Sequence, residues 1–297
     1  MSYESKIYKV GDATVTRVSE LALTTFTPEM LFQGWHPDVL QDHATWLSPG
    51  SMDDARQRAL MSVHTWVIQT GRHTILIDTG VGNDKNRPFT PMFDHLQLPY
   101  LARLKAAGVE PEAVDFVLLT HLHVDHVGWN TRLVDGNWVP TFPNAKYLFS
   151  RDEYQYFADQ RNHSERNKTS FIVQQDSVLP IVRAGLAQMI DFDGKEVIDG
   201  LTFHPTVGHS FGHASISLNS AGERALFSGD VLHHPIQIHR PEWNSRFDAF
   251  PEQARASRRW ALDYAADNNA MFFSSHFPET SVGQVTRKDG GFEWRYV

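Results

Sequence analysis

His121-Leu122-His123-Val124-Asp125-His126-Val127-Gly128 follows directly on the apolar run Phe116-Val117-Leu118-Leu119-Thr120. An apolar run this short, bounded by polar residues, reads as a buried strand, so four side chains able to bind a metal stand at a strand end within six positions. Histidines at i and i+2 leaving a strand can aim both rings to one side. Asp125 and His126 then fall further along the chain, displaced enough to serve a second ion. A lone histidine in such a place is most often an ordinary hydrogen-bonded loop residue. The cluster HxHxDH followed by Gly is too dense for that, and a metal centre is the working expectation.

Outward from this motif the chain alternates strands, helices and turns. Toward the N-terminus, residues 6–10 and 14–18 form a hairpin about Gly11-Asp12, and residues 62–69 and 74–78 form another about Gly71-Arg72. The second hairpin ends in Asp78-Thr79-Gly80. Residues 25–60 are too long for a plain connection and read as a capping insertion. Leu96, Leu98, Leu101 and Leu104 predict a helix over 95–107, with Gly108 as its stop. Toward the C-terminus, Ser150 with Glu153 predicts a capped helix over 154–158, and Pro251 opens a long helix. Strands are expected at 201–205, 214–218, 224–228 and 270–274, then a hairpin over 282–297 about Asp289-Gly290-Gly291. The element order suggests two similar halves. No low-complexity linker parts them, so the expectation is one domain over 1–297.

A metal centre needs more ligands, and they stand where they are needed. His209 follows the strand 201–205 in a Gly-His-Ser-Phe-Gly-His segment, Asp230 follows Ala225-Leu226-Phe227-Ser228-Gly229, and His276 follows Met271-Phe272-Phe273. Each ends a predicted strand, the edge at which α/β sheets place their sites. Among 297 residues there is no cysteine but 16 histidines, so thiolate sites are excluded and any metal rests on His, Asp or Glu. A hydrophobic share of 41% with 21% charged residues is globular. The net charge of -8, without a basic run, argues against a nucleic-acid partner. No apolar run approaches the roughly 18 residues of a membrane span and the N-terminus carries no export signal, so no membrane partner and a cytoplasmic location are expected.

Taken together, HxHxDH, the histidine of Gly-His-Ser-x-Gly-His, the Gly-Asp pair and the last histidine resemble the metallo-β-lactamase superfamily from about residue 62 to 276. The resemblance implies an α/β fold of the four-layer αβ/βα sandwich type with a dinuclear centre. It implies that His121, His123 and His209 hold one divalent ion, that Asp125, His126 and His276 hold the other, and that Asp230 bridges them. Asp78 would orient a ligand ring. Family matching favours His209 over His213 as ligand, with His213 supporting the fold, and His204 has no assigned role. Zinc is the first choice of metal, with manganese or iron as alternatives. Two such ions less two carboxylates leave a net positive site, which favours a bridging hydroxide as nucleophile, and Asp125 is placed to orient it and pass on its proton.

The carboxylate at 230 disfavours the true β-lactamase branches, and only 21 residues follow His276, too few for the helical glutathione-binding domain of glyoxalase II relatives. The stretch Gly229-Asp230-Val231-Leu232-His233, with Pro235, Gln237 and Arg246-Phe247-Asp248, looks most like the methyl parathion hydrolase subgroup, which is related to the N-acyl homoserine lactonases. Those lactonases carry Tyr three residues after the bridging Asp, where this chain has His233, the second catalytic candidate beside Asp125. The reading is hydrolysis of a small-molecule lactone or ester, with phosphotriester cleavage as a side activity. A mononuclear iron enzyme resembling persulfide dioxygenases, or a non-catalytic metal-binding protein, are the alternatives, and a homodimer is left open. Trp35, Trp46, Phe89, Phe93, Trp129 and Trp243 are candidates for an apolar pocket and equally for ordinary packing.

Overall fold

Among the described residues, strand-forming runs separated by turn residues build two seven-stranded sheets and a small two-stranded one. The computed structural model describes residues 6–39, 47, 50–53, 55 and 57–297. By their contacts they fall into two compact units, Met1–Glu20 with His64–Asp193 and Leu21–Val63 with Gly194–Val297.

The strands of the first sheet are β1 (Ile7–Val10), β2 (Ala13–Leu23), β3 (Met61–Gln69), β4 (Thr74–Ile77) and β5 (Phe116–Leu118). The small sheet pairs β6 (Thr131–Val134) with β7 (Asn137–Pro140), after which β8 (Lys146–Ser150) and β9 (Ala187–Ile190) complete the first sheet in the order β1-β2-β3-β4-β5-β8-β9. From β4 through β9 the pairing is parallel, and these central strands are the apolar ones. Parallel pairing needs crossovers, and α1 (Tyr100–Ala106) and α2 (Arg151–Ala158) lie in two of them. Leu76, Val117, Tyr147 and Phe149 pack with Tyr100, Leu104 and Phe157 into one core.

The helix expected over 95–107 begins only at Tyr100. Pro99 is its N-cap, and a residue before proline is biased away from the helical region, so Leu96 and Leu98 are left in a loop. That loop is tied down by Leu98 N–H donating to Asn83 Oδ1 (2.8 Å) and Asp84 N–H donating to the Leu96 carbonyl (3.1 Å). Ser150 caps α2 as read, its Oγ accepting from Glu153 N–H at 3.2 Å, but the helix starts at Arg151 rather than 154, and Glu153 Oε1 accepts from Leu122 N–H (3.3 Å). Unread in the first unit's sequence were β6, β7, β8 and β9, and the helical run α3 (Lys168–Val173), a π turn at Gln174–Val178 and α4 (Leu179–Arg183).

The π turn carries Asp176 into a buried group of charges. Arg87 grips its carboxylate with both terminal nitrogens (2.6 and 2.8 Å), and Lys85 Nζ lies 3.7 Å from it. Lys85 also donates to Thr131 Oγ1 (2.6 Å) and sits 3.6 Å over the ring of Trp138. Burial pushes the Lys85 amine down to about 7, against the pull of Asp176.

The second unit contains β10 (Glu196–Ile198), β11 (Leu201–Pro205), β12 (Ala214–Ser220), β13 (Glu223–Phe227), β14 (Met271–Phe273), β15 (Val282–Lys288) and β16 (Gly291–Tyr296), paired in chain order. Only β13 and β14 are parallel. Between them run α5 (Ile236–His239) and α6 (Pro251–Asp267), whose buried stripe is Ala254, Arg258, Ala261, Leu262 and Ala265. Within residues 25–60, Phe32 bridges to Ser245, Leu31 accepts from Arg246 N–H (2.8 Å), and Ser51 accepts from His234 (2.7 Å). Trp46 and part of the expected cap lie outside the described residues. Among the described residues no helix is long and apolar enough to cross a membrane.

Asp176→Asn strands the buried Arg87 guanidinium and removes the charge that holds the proton on Lys85. The expected cost is about 3–5 kcal/mol of unfolding free energy, read from urea denaturation. A loss under about 1 kcal/mol would show that the group is not the closed ion pair described.

Candidate metal centre

In the first unit two parallel strands deliver the site residues to one sheet edge. Ile77 of β4 pairs with Leu118 of β5, so Asp78 and the segment from Thr120 leave the sheet side by side. Asp78 adopts a left-handed backbone (φ 55), which Asp tolerates better than most residues. Its carboxylate accepts from Thr120 N–H (2.9 Å), from Thr120 Oγ1 (2.8 Å) and from His126 Nδ1 (2.8 Å). A carboxylate only accepts, so His126 carries its proton on Nδ1 and presents a bare Nε2. His121 follows the same logic one bond further out: Thr120 Oγ1 spends its proton on Asp78, so it accepts from His121 Nδ1 (3.0 Å).

The rings of His121 and His123 lie 4.5 Å apart, and those of His121 and His126 lie 4.1 Å apart. His121 and His126 are buried, while His123 and Asp125 are half-buried. Gly128 closes the loop against the Asp-Thr-Gly turn. A Cβ there would fall 1.8 Å from the Val81 carbonyl oxygen, so no other residue allows this approach. Glu20, buried beside the turn, accepts from Val81 N–H, Gly82 N–H and Trp129 Nε1 (2.6, 3.0 and 2.6 Å) and braces both loops.

The second unit repeats the device. Phe227 of β13 pairs in parallel with Phe273 of β14, so Asp230 and His276 leave one sheet edge together. Three imidazoles surround the buried Asp230 carboxylate. His276 Nε2 is 3.0 Å from Oδ1, His209 Nε2 is 3.3 Å from Oδ2, and His233 Nε2 is 3.4 Å from Oδ2. His276 Nδ1 lies 2.9 Å from the Ser62 carbonyl, which can only accept, so that ring keeps its proton on Nδ1. Its Nε2 faces the Asp230 carboxylate, to which it donates only as an imidazolium; a neutral ring would set acceptor against acceptor. A cation relieves that arrangement, and Asp230, His233 and His276 offer ligand atoms within 4.8 Å of one another. Imidazole and carboxylate without sulfur fit a divalent ion such as zinc or manganese.

The other histidines sort by their partners. His213 accepts from Asp230 N–H at Nε2 (2.8 Å) and donates from Nδ1 to the Thr206 carbonyl (2.9 Å), so both nitrogens are engaged and neither lone pair is left for a metal. His204 bonds Ser217 (2.8 Å) and packs on Trp260 and Tyr264. His233 is buried, its ring 5.4 Å from His276 and parallel to it within 11°. Its Nδ1 has no hydrogen-bond partner. Burial holds the His233 imidazole below its usual range, with Asp230 opposing. Phe247 lies 5.4 Å from that ring, and Trp35 packs on Trp243 at 6.2 Å. In the first unit Phe93 and Trp129 are buried, Trp129 stacked on Tyr100 at 5.0 Å, whereas Phe89 is exposed.

Two residues went unread as parts of the site. Asp248 Oδ1 lies 3.5 Å from His209 Nδ1, and its Oδ2 pairs with Arg258 Nη2 at 3.0 Å. Burial opposes ionisation of Asp248, yet His209 and Arg258 hold its carboxyl below the usual carboxylate range. A charged residue in the apolar stripe of α6 was the available signal.

A model of the Metallo-beta-lactamase superfamily matches residues 58–276. The chain is 28% identical over 195 residues to Probable metallo-hydrolase YybB of Bacillus subtilis (strain 168), covering 63% of this chain and 73% of that protein. It is 27% identical over 185 residues to an N-acyl homoserine lactonase of Bacillus sp, covering 59% of this chain and 62% of that protein. Among solved structures it is similar to hydrolase AbOPH of the beta lactamase superfamily, with a TM-score of 0.80, 26% identity and coverage of 99% and 97% of the two chains. AidC, a dizinc quorum-quenching lactonase in complex with its product, aligns with a TM-score of 0.76 at 23% identity over 99% of this chain and 97% of that one, a likeness of fold.

Beside the site, His234 donates from Nε2 to the Ser51 carbonyl (2.7 Å) and accepts at Nδ1 from Ile236 N–H (3.3 Å), and burial pushes its pKa down to about 4. The unfolded chain, near 6.5, then binds more protons between pH 6.5 and 4, so stability falls as pH falls through that window. In chemical denaturation His234→Gln, which keeps a donor for Ser51, is expected to flatten the slope by up to about 1.4 kcal/mol per pH unit. An unchanged slope would contradict a neutral buried imidazole.

Proposed function

We propose that this chain, which belongs to the metallo-beta-lactamase superfamily and has its fold, is a hydrolase that uses two divalent ions to open a lactone or cleave another carboxylic ester of a small molecule. The observation that carries the reading is the buried Asp230 carboxylate ringed by the imidazoles of His209, His233 and His276, the last with its Nδ1 against the Ser62 carbonyl. We assign the two ions to His121, His123, Asp125, His126, His209, Asp230 and His276, with zinc as the first choice. Bound, the ions would supply a water acidic enough to ionise near neutrality and an electrophile for the substrate's carbonyl oxygen. Asp125 takes the part of orienting that water and accepting its proton on a carboxylate oxygen. Asp78 fixes His126 through Nδ1, and His233 gives a hydrogen bond to the leaving oxygen.

Lactones come first because N-acyl homoserine lactonases are among the relatives. His233, in the place where the lactonase pattern has Tyr, points to a wider ester range, with phosphotriesters as side substrates. We place the enzyme in the cytoplasm.

Protein purified without chelators and supplied with zinc or manganese should carry about two ions per chain, the number seven ligands suit, and should turn over members of a lactone and aryl-ester panel. One ion or none would sink the two-metal reading. A single iron with oxygen consumption would replace it by redox chemistry, and binding without turnover by a metal-binding role. At full metal loading His233→Ala should slow alkyl lactones about ten- to a thousandfold while sparing nitrophenyl esters, whose leaving group needs no proton. Equal rates across that series would remove His233 from the reaction.

A further inference from the structure

The buried pair Asp248–Arg258 lies beside the second unit's ligand set and has no part in the chemistry above. Both side chains are fully buried. Arg258 occupies the apolar stripe of α6, between Ala254 and Ala261, where an aliphatic residue would serve the core. Its Nε donates to the Val231 carbonyl (2.8 Å), the residue after Asp230, and its Nη1 donates to the Pro241 carbonyl (2.9 Å). Its Nη2 meets Asp248 Oδ2, which also accepts from Ser245 N–H (2.9 Å). A buried ion pair of this kind is seldom worth more to stability than an apolar pair of the same volume, so its geometry asks for another reason.

That reason is the other carboxylate oxygen. Asp248 Oδ1 is turned toward His209 Nδ1 at 3.5 Å, and His209 Nε2 is the atom that faces Asp230. The same segment grips the His209 backbone, with Ala249 N–H donating to the His209 carbonyl (3.0 Å) and Phe250 N–H to that of Gly208 (2.7 Å). Gly208 lies so close to α6 that a Cβ would fall 2.1 Å from Ala254 N. His209 is thus located by backbone contacts and steered by one carboxylate. That carboxylate is locked by a guanidinium which also holds the chain behind Asp230.

We infer that Asp248 and Arg258 are positioning residues for metal binding: Asp248 keeps the His209 proton on Nδ1 and its Nε2 aimed at the ion, and Arg258 holds Asp248 and the Val231 carbonyl in one frame. A carboxylate behind a ligand histidine fixes ring and tautomer and makes the ligand nitrogen more basic, and losing such a partner typically weakens metal binding about ten- to a hundredfold. The inference rests on the two-metal reading above.

The test is zinc competition against a chromophoric chelator, with cobalt(II) absorption as a second readout and circular dichroism as the check on folding. Wild type should bind about two zinc ions. Asp248→Asn should weaken one site about ten- to a hundredfold, leave the other unchanged and alter the cobalt spectrum, whereas Asp248→Glu should recover part of the loss. In a His209→Ala background Asp248→Asn should add nothing. Because a lone Asp248 variant strands Arg258, the pair Asp248→Leu with Arg258→Met is made too. It should fold and still show the weakened site. Unchanged zinc affinity in both the Asn and the paired variant would overturn the inference, as would an additive loss on His209→Ala. Three ions in wild type, one lost with Asp248, would make Asp248 a ligand and overturn it as well. Wild type that binds no metal would instead fail the two-metal reading.

Discussion

Asp230 presents a buried carboxylate to ring nitrogens that cannot all donate to it, and the second unit is arranged to hold that arrangement in place. The Ser62 carbonyl fixes the proton of His276 on the far side of its ring. His213 takes the Asp230 amide and returns its own proton to Thr206, which settles the main chain while leaving the carboxylate directed at the other rings. None of these bonds is strong by itself. Their joint effect is to concentrate imidazole and carboxylate ligand atoms in one buried place, a donor set that suits a divalent ion. The protein therefore stores in its folded form a preference for the metal.

Both units reach this result by one construction. A parallel pair of strands, β4 with β5 and β13 with β14, brings two distant stretches of chain to the same sheet edge, and the residues just past the strand ends carry the chemistry. This is why so much of the site was legible. A short apolar run bounded by turn residues reads as a buried strand, and a His or Asp just after one has a known address. The preference for His209 over His213 came from family matching; the structure adds the bonds that occupy both nitrogens of His213.

What stayed hidden has physical reasons. Leu96 and Leu98 have helical spacing but stand before Pro99, and a backbone restriction outweighs periodicity there. The π turn at Gln174–Val178 breaks the helical phase by one residue, which blurs any pattern reading of 168–183. Asp248 and Arg258 are ten residues apart on a loop and a helix, and only the folded chain shows that one oxygen of Asp248 serves the arginine while the other serves a histidine. Composition cannot reveal which buried charges are partners.

The ion pair between Arg87 and Asp176 joins residues 89 positions apart, and this bears on the order of assembly during synthesis. The Arg87 guanidinium cannot lose its proton, so burying it before the π turn supplies Asp176 would leave an unpaired buried charge. The loop entropy of so long a closure grows only slowly with length, so the delay is set by when the anion becomes available rather than by the difficulty of closing. The strands β4, β5 and β8 all precede residue 176, so the sheet's pairing partners are synthesised before the anion that closes the ion pair. Residues 21–63 are made before residue 176, and residues 194–297 of the same unit after it. A chain synthesised no further than residue 176 therefore lacks residues 194–297, with which 21–63 form one compact unit.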